Sequence, residues 1–451
     1  MAHRRRDVLW LLGAGATSLL ANPVAPTPSP LPRPTTSPIP PAKPTAAPTA
    51  APVTPTALPP AATSTPPPPT ATPVPPPPPP TLTPTLAPTP VAPPALAAAV
   101  ESALQRAVQR NALPGGVALV RFKGVPLLLQ AYGLSRKYEA GGKLSANPIP
   151  AAPDTLYDLA SISKLFTTTC VMRLVEQGHL ALDEPVARWM PEFAAGGKEQ
   201  VTLRQLLTHT SGLPDYLELW KLEPTAEARV QRVLSTSLLN APGSVYRYSD
   251  LGLIAIGHLV ELVAGSSLDV AVRDMVIEPL QLRDTMYRPP AGLKVRIAPT
   301  EDEDGVGRGL VWGEVHDENA WSLGGVAGHA GLFSTAADLG RLAQLYLNGG
   351  ELDGRRLLEP ETLAEMTRNQ IGRIGSRGLG WELNAAYYMG HLASPRTYGH
   401  TGFTGTSLVI DPRRDLIVVL LTNRVHPTRD GPSMNSTRQA VADAALAAAT
   451  T

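Results

Sequence analysis

Proline decides what the N-terminal part of this chain can fold into. Most of the 50 prolines in the 451 residues lie between Pro23 and Pro94, where they alternate with Thr, Ala and Ser. Proline fixes φ and has no backbone N–H, so it is disfavoured in helix interiors and in central strands. We therefore predict that residues 22–94 form a disordered, extended stalk that holds the next domain away from a membrane or through a cell wall. Binding of its Pro-x-x-Pro matches by a partner is the alternative.

The residues before the stalk have the pattern of an export signal. A basic cluster, Arg4–Arg6, precedes a short apolar run that ends at Ala21. The run is shorter than a spanning helix needs, and its basic flank is typical of a signal peptide. The arginines followed by Asp-Val-Leu are similar to a twin-arginine signal. We expect residues 1–21 to be a signal peptide and the protein to be secreted, periplasmic or attached to the cell envelope. An uncleaved N-terminal anchor and a cytosolic helix are the alternatives.

Residues 95–451 have an ordinary globular composition and are numerous enough to enclose a large core. The formal charge of the chain is +1, which gives no electrostatic reason to expect nucleic acid as a partner. Cys170 is the only cysteine, so no intramolecular disulfide can form. We expect Cys170 to be a small buried side chain on a helix.

Strand-forming segments occur at both ends of this region, and helical segments occur between and beside them. The predicted strands are Gly115–Lys123, Pro126–Gly133, Tyr398–Gly402, Thr406–Asp411 and Leu416–Thr422. The main predicted helices are Ala95–Arg110, Leu159–Gln177, Leu251–Val263 and Ser433–Ala449. This order predicts an α/β (α+β) fold, with one antiparallel sheet built from both chain ends and a helical region inserted between its halves.

Three short strings follow one another along the domain: Ser161-Ile-Ser-Lys164, Tyr248-Ser-Asp250 and His400-Thr-Gly402. The spacing of the first puts the serine and lysine on one face of a helix start, where backbone N–H groups favour developing negative charge. A serine hydroxyl becomes a good nucleophile only when a neighbouring group takes its proton. We predict that Ser161 is a nucleophile and Lys164 its helper. A helix-capping serine beside a solvated lysine is the alternative.

The second string supplies a candidate base. Tyr248 follows a Pro-Gly turn and precedes an apolar helix, so its phenol should lie on a loop. A cationic lysine nearby favours the phenolate and allows such a tyrosine to accept a proton. A structural tyrosine next to Asp250 as the helix cap is the alternative.

The third string is predicted to lie on a strand that runs beside the nucleophile. Gly402 permits close approach of a ligand backbone, and the N–H of Phe403 could join that of Ser161 in an oxyanion hole. A simple strand-end turn is the alternative. The histidines at 316, 329 and 400 lack the spacing of a metal motif, so we expect them to be structural or pocket-lining, with no metal or cofactor.

Together, the three strings resemble those of the serine β-lactamase and penicillin-binding protein superfamily. A tyrosine in the second string is similar to the class C β-lactamase and carboxypeptidase branch. Further matches are Leu206–Pro214, Gly325–Thr335, Leu408–Pro412, His316–Ala320 and Thr422–Pro427. The resemblance covers roughly residues 96–449 and implies a β-lactamase/transpeptidase-like fold.

The resemblance implies that Ser161 is acylated, that Lys164 assists and that Tyr248 is the base. It also implies that His400 and Thr401 bind a substrate carboxylate or shape its pocket. Two positions depart from the family pattern. Asp250 stands where many relatives have asparagine and should pair with Lys164. His400 replaces a lysine, which weakens a fixed positive charge at neutral pH.

The sequence therefore predicts an exported serine hydrolase that acts on an amide or ester next to a carboxylate, such as a D-alanyl cell-wall peptide or a β-lactam. Its nucleophile is Ser161, without metal or cofactor. A carboxylesterase with the same residues is one alternative. A non-catalytic wall-binding module on a stalk is the other, although it would have no need of all three reactive side chains.

Overall fold

The computed structural model of the protein describes residues 92–450, so the predicted signal peptide and nearly all of the predicted stalk lie outside the described residues. The helices are α1 (Pro94–Gln109), α2 (Ser163–Glu176), α3 (Leu203–Leu207), α4 (Leu219–Leu222), α5 (Ala226–Ser235), α6 (Asp250–Ala264), α7 (Leu268–Val272), α8 (Glu318–Ser322), α9 (Ala336–Leu347), α10 (Pro360–Thr367), α11 (Ala386–Met389) and α12 (Asn435–Thr450). The strands are β1 (Gly115–Phe122), β2 (Val125–Glu139), β3 (Lys143–Pro150), β4 (Tyr157–Asp158), β5 (Met286–Tyr287), β6 (Leu332–Ser334), β7 (Glu351–Leu352), β8 (Arg355–Arg356), β9 (Glu382–Leu383), β10 (Tyr398–Thr401), β11 (Ser407–Asp411) and β12 (Leu416–Thr422).

The main sheet has the order β3-β2-β1-β12-β11-β10-β9, and every neighbouring pair is antiparallel. Its centre joins the two chain ends, because β1 pairs with β12 from Gly116 opposite Thr422 to Phe122 opposite Leu416. The predicted antiparallel sheet built from both termini is therefore confirmed.

Helices cover both faces of this sheet. Alternate side chains of β1 and β12 enter two different cores, as the period of two in a strand requires. One core packs the sheet against α1 and α12, and the other packs it against α9 and the inserted helices. Strands buried on both faces read as continuous apolar runs, and β12 has that sequence, Leu-Ile-Val-Val-Leu-Leu-Thr.

One helix boundary and one strand differ from the sequence prediction. The helix predicted from Leu159 begins at Ser163, because residues 160–162 form a 3-10 turn in which Ala160 has φ +48°. Strand β3 was not predicted. It lies at the sheet edge, is mostly exposed and carries two prolines, so it shows no apolar alternation.

The predicted helical insertion is also present, since α3 to α7 lie between the two groups of main-sheet strands. Within residues 92–450, no single helix has the length and apolar character needed to cross a bilayer. Helix α6 and the segment Leu268–Ile277 meet that requirement only when taken together, with a bend of 79° between them.

A buried histidine near the end of β12 predicts how acid affects stability. His426 accepts from the N–H of Tyr138 at 3.0 Å, and its other ring nitrogen lies 2.9 Å from the carbonyl oxygen of Thr300. Burial lowers its pKa to about 4, although the Thr300 hydrogen bond opposes the shift. The unfolded chain binds this proton near pH 6.5 and the folded chain does not. The free energy of unfolding should therefore fall as pH decreases from 6.5 to 4, by on the order of 3 kcal/mol from this group.

Urea unfolding at pH 7 and pH 4.5 measures the effect. His426→Gln is expected to lose less stability between the two pH values than the wild type. His179→Gln changes an exposed histidine and serves as the control. An equal loss in the wild type and in His426→Gln would contradict the prediction.

Candidate active site

Ser161 lies on the 3-10 turn that leads into α2, and its side chain is partly exposed. The residue before it, Ala160, has the left-handed conformation that residues with a Cβ seldom adopt. Its N–H donates to the buried carboxylate of Asp158 at 2.8 Å. Tertiary contacts also hold the turn, because the hydroxyls of Thr404 and Thr406 donate to the carbonyl oxygens of Asp158 and Leu159. These contacts fix where the Ser161 hydroxyl points.

Lys164 is buried one turn later, with 1% of its surface exposed. Its Nζ lies 2.8 Å from the Ser161 hydroxyl oxygen and 3.1 Å from the carbonyl oxygen of His329. A third oxygen, from the Asp250 carboxylate, lies 2.8 Å away, so the expected Lys164–Asp250 pair is present.

The pKa of Lys164 results from opposing effects. Burial alone would lower it, but the charges of Asp250 and Tyr248 and their hydrogen bonds to the amine outweigh burial, and the pKa is raised. Lys164 is consequently an ammonium at neutral pH, which donates to Ser161 and to the carbonyl of His329 and forms an ion pair with Asp250.

Tyr248 lies on the loop before α6, as predicted. Ser249, rather than Asp250, caps this helix by accepting from the N–H of Gly252 at 3.3 Å, so the interpretation of Asp250 as the cap is wrong. The Nζ of Lys164 lies 5.0 Å from the centre of the Tyr248 ring. Tyr248 is therefore close to the same amine that contacts Ser161.

Strand β10 brings the third string to the same place. His400 is buried, and its Nδ1 lies 2.8 Å from the carbonyl oxygen of Thr401. Burial lowers the pKa of His400 well below its usual value, and the positive charges of Arg377 and Lys164 lower it further. His400 is therefore neutral at neutral pH. Phe403, just beyond the strand, has half of its side chain exposed.

Gly402 allows β10 to approach the 3-10 turn that carries Ser161. A Cβ at this position would overlap the hydroxyl of Thr406 and lie 2.5 Å from the carbonyl oxygen of Leu159, two residues before Ser161. Gly402→Ala is thus expected to displace this backbone and to reduce the rate at which a fluorophosphonate labels Ser161 by about 10²-fold, since a shift of about 1 Å can have that effect.

The measurement is the rate of labelling by a fluorophosphonate, together with the unfolding temperature. Gly292→Ala is the matched control, because a Cβ there would meet open space. Equal labelling rates for Gly402→Ala and the wild type would show that close approach at this position is unnecessary.

Two side chains near Tyr248, Arg377 and His209, were not among the candidate site residues predicted from the sequence. The guanidinium of Arg377 lies 5.4 Å from the centre of the Tyr248 ring and 5.3 Å from that of Tyr246. No motif marked Arg377. The ring centre of His209 lies 4.4 Å from that of Tyr248, and Nδ1 of His209 accepts from the N–H of Ser249 at 3.1 Å.

Glu301, Glu303 and His316 form a buried cluster that their sequence spacing did not indicate. One possible ligand atom from each lies within 4.8 Å of the others. Arginine side chains already pair with these carboxylates: Arg308 contacts Glu303 at 2.8 Å, and Arg429 contacts it at 3.1 Å. The cluster is therefore already neutralised in part by guanidinium groups, and His316 contributes to it through its contact with Glu301 at 2.8 Å.

These contacts give the site the parts of nucleophilic catalysis. A partly exposed hydroxyl contacts a buried ammonium, and a phenol contacts the same ammonium. The C-terminal end of β10, followed by the half-exposed Phe403, lies beside them. Such an arrangement can transfer an acyl group to serine and move a proton between hydroxyl, amine and phenol.

Comparison with known proteins identifies the family of the chain. Residues 100–443 match the family described as Beta-lactamase. A protein of Salmonella agona named "Putative D-alanyl-D-alanine carboxypeptidase" is 34% identical over 340 residues, which are 68% of this chain and 78% of that protein. A similar protein of Salmonella schwarzengrund, with the same name, is 35% identical over the same lengths.

Solved structures show the same fold. EstCE1, described as a hydrolase with promiscuous acyltransferase activity, is 27% identical with a TM-score of 0.61, covering 77% of this chain and 98% of that one. A penicillin-binding protein homologue from Caulobacter crescentus is 24% identical with a TM-score of 0.61, covering 80% and 99%. The chain thus belongs to the beta-lactamase family and is a serine hydrolase of the β-lactamase and penicillin-binding protein type.

Proposed function

We propose that the protein is an exported hydrolase that forms an acyl-enzyme on Ser161 and acts on D-alanyl amide bonds, as a carboxypeptidase of cell-wall peptides does. The observation that carries the proposal is the contact of Lys164 Nζ with the Ser161 hydroxyl at 2.8 Å, inside a site that also holds Tyr248. The carboxypeptidase name of the Salmonella relatives supports the choice of substrate.

In the first step, Ser161 attacks the substrate carbonyl and loses its proton. Lys164 is an ammonium in the resting site, so it has no free electron pair with which to accept that proton. We assign the role of proton acceptor to the oxygen of Tyr248 in its deprotonated form, because a neighbouring ammonium stabilises a phenolate. The ammonium can then supply a proton to the leaving amine, and Tyr248 can return one to Lys164.

The negative charge on the carbonyl oxygen requires two donors. We assign these to the backbone N–H groups of Ser161 and Phe403, because Gly402 brings the end of β10 against the 3-10 turn that carries Ser161. Water then attacks the acyl-enzyme, and Tyr248 accepts a proton from the water as it did from Ser161. A proton returns to the Ser161 oxygen as the acid is released, which restores the hydroxyl.

A carboxylesterase with the same residues is the second candidate. His400 supports it, because a neutral buried imidazole on β10 gives no fixed positive charge for a substrate carboxylate. The similarity to EstCE1 at 27% identity points in the same direction. An ester also has a better leaving group and depends less on proton delivery.

Intact-mass spectrometry of the full chain tests the acyl-enzyme. A fluorophosphonate and a penicillin are added separately, and a single covalent adduct is expected with the fluorophosphonate. A lasting penicillin adduct supports the peptidase. A fluorophosphonate adduct without a penicillin adduct favours an esterase or rapid β-lactam hydrolysis. Folded protein without any adduct would refute the proposal and leave the wall-binding module.

A matched pair of substrates separates amide from ester chemistry. A peptide ending in D-alanyl-D-alanine and the depsipeptide ending in D-alanyl-D-lactate differ only in the scissile bond. If the enzyme hydrolyses the peptide as well as the depsipeptide, the result supports the carboxypeptidase. Turnover of the depsipeptide alone supports the esterase.

The export route and the stalk belong to the same proposal. The basic and apolar pattern of residues 1–21 and the proline content of residues 22–94 support them. Fractionation of producing cells, with the N-terminal mass of the mature chain, tests both. A cytosolic chain with an intact N-terminus would contradict export.

A further inference from the structure

The run His316–Ala320 carries no reactive group of the proposed mechanism, yet its first residues are buried beside the site. It includes the start of the short helix α8, which Asp317 caps by accepting from the N–H of Ala320 at 2.8 Å. Three of its residues make contacts that lead to three separate reactive elements. We call residues 316–319 the anchor segment.

The first contact leads to Ser161. The N–H of His316 donates to one oxygen of the Asp158 carboxylate at 2.7 Å, and the N–H of Ala160 donates to the other at 2.8 Å. Asp158 is 2% exposed, so these two backbone donors are its principal partners. One carboxylate therefore ties the anchor segment to the left-handed residue directly before the nucleophile.

The second contact leads to Lys164. The Asp317 carboxylate lies 2.8 Å from Nε2 of His329, and the His329 side chain is 1% exposed. The backbone carbonyl of the same histidine accepts from Lys164 Nζ at 3.1 Å. Fixing the His329 side chain therefore fixes an oxygen that holds the ammonium.

The third contact leads to Tyr248. The amide of Asn319 donates to the carbonyl oxygen of Leu217 at 2.8 Å. The loop before Leu217 accepts from the Tyr248 string, because the carbonyl of Asp215 accepts from the N–H of Asp250 at 2.9 Å. The anchor segment therefore supports the loop that carries the phenol.

We propose that residues 316–319 set the mutual positions of Ser161, Lys164 and the Tyr248 loop, with Asp158 and Asp317 as the positioning carboxylates. The inference rests on the proposed function, since it concerns the geometry of acyl transfer to Ser161. These residues touch no reacting atom and act only through the groups that do. Reaction rates depend steeply on such alignment, because a misplacement of about 1 Å can cost about 10²-fold.

Two substitutions break individual contacts while changing little volume. Asp158→Asn replaces one acceptor oxygen with an N–H donor, which must face a backbone N–H whichever way the amide turns. Asp317→Ser keeps an oxygen that can cap α8 but is too short to reach His329. Asn319→Ala removes the third contact and provides an independent variant if Asp158→Asn does not fold.

Each substitution has a matched control. Asp411→Asn changes another fully buried carboxylate that accepts from a backbone N–H, at the opposite end of β11 from the site. Asp443→Ser shortens another aspartate that accepts from a backbone N–H, that of His391 at 2.8 Å, and that pairs with a histidine, Nδ1 of His391 at 3.1 Å. Neither control removes one of the contacts described above that lead to Ser161, Lys164 and the Tyr248 loop.

The measurement is labelling of the full chain by a fluorophosphonate over a range of concentrations, with the unfolding temperature of each variant. We expect the maximal acylation rate to fall about tenfold to 10²-fold in Asp158→Asn and Asp317→Ser. The concentration for half-maximal rate should stay within about twofold, because the pocket surface is unchanged. Asp411→Asn and Asp443→Ser should keep the wild-type rate even where they lower the unfolding temperature.

Unchanged acylation rates in folded Asp158→Asn, Asp317→Ser and Asn319→Ala would overturn the inference. Equal rate losses in the two controls would also overturn it, because the effect would then follow general destabilisation. Failure of the wild type itself to be labelled would refute the proposed function, and is thereby distinguishable from failure of the anchor segment alone.

Discussion

Replacing Ser161 with alanine is expected to remove the covalent adduct completely and to reduce kcat by about 10⁴-fold or more. The reason is that an acyl-enzyme needs an oxygen at this position, and the side chain of alanine has none. Intact mass after treatment with a fluorophosphonate shows the adduct directly, and steady-state hydrolysis of an activated ester gives kcat.

Ser163→Ala is the control for this experiment. Ser163 lies two residues further along, is fully buried and accepts from the N–H of Leu332 at 3.2 Å. Loss of that acceptor should cost some stability but leave the adduct intact. An adduct that persists in Ser161→Ala would identify a different nucleophile and contradict the assignment.

Lys164→Met is expected to lower the acylation rate by about 10²-fold to 10⁴-fold. The reason is that the ammonium which stabilises the Tyr248 phenolate and supplies a proton to the leaving group is then absent. It should also destabilise the fold by on the order of 2–3 kcal/mol, since Asp250 keeps its charge beside an apolar side chain. Labelling kinetics and urea unfolding measure the two effects separately.

The double variant Lys164→Met/Asp250→Asn separates catalysis from stability. Removing both charges of the pair eliminates the unpaired carboxylate, so most of the lost stability should return. The acylation rate should stay low, because the ammonium is still absent. Recovery of the rate together with the stability would mean that Lys164 acts only as a structural counter-ion.

The main architecture of the domain followed from its sequence. Strands β1 and β12 contain enough apolar residues in sequence to be recognised without their partners, and short motifs identified Ser161 and Lys164. Edge strand β3 was not predicted from the sequence, because an exposed strand with prolines has no pattern that distinguishes it from a loop. The 3-10 turn before α2 was also missed, since Ala160 has no intrinsic preference for the left-handed region.

The charge state of His400 could not be predicted from the sequence. A histidine in place of lysine at position 400 indicated only a weaker positive charge, whereas burial beside Arg377 and Lys164 makes it neutral. Arg377 itself belongs to no motif. Its place near Tyr248 arises from packing of distant segments, and neither desolvation nor a Coulomb interaction can be read from spacing along a chain.

The sequence by itself determined the identities of the reacting groups, their order and the antiparallel sheet that carries them, because side-chain chemistry and hydrophobic periodicity are local properties. Only the tertiary structure decided how those groups are held. Asp158 stands only three residues before Ser161, but its partner His316 is 158 positions further along the chain. Lys164 and the carbonyl of His329 are 165 positions apart, and Asn319 and Leu217 are 102 positions apart. Alignment of a site depends on such long-range contacts, and the folded packing alone creates them.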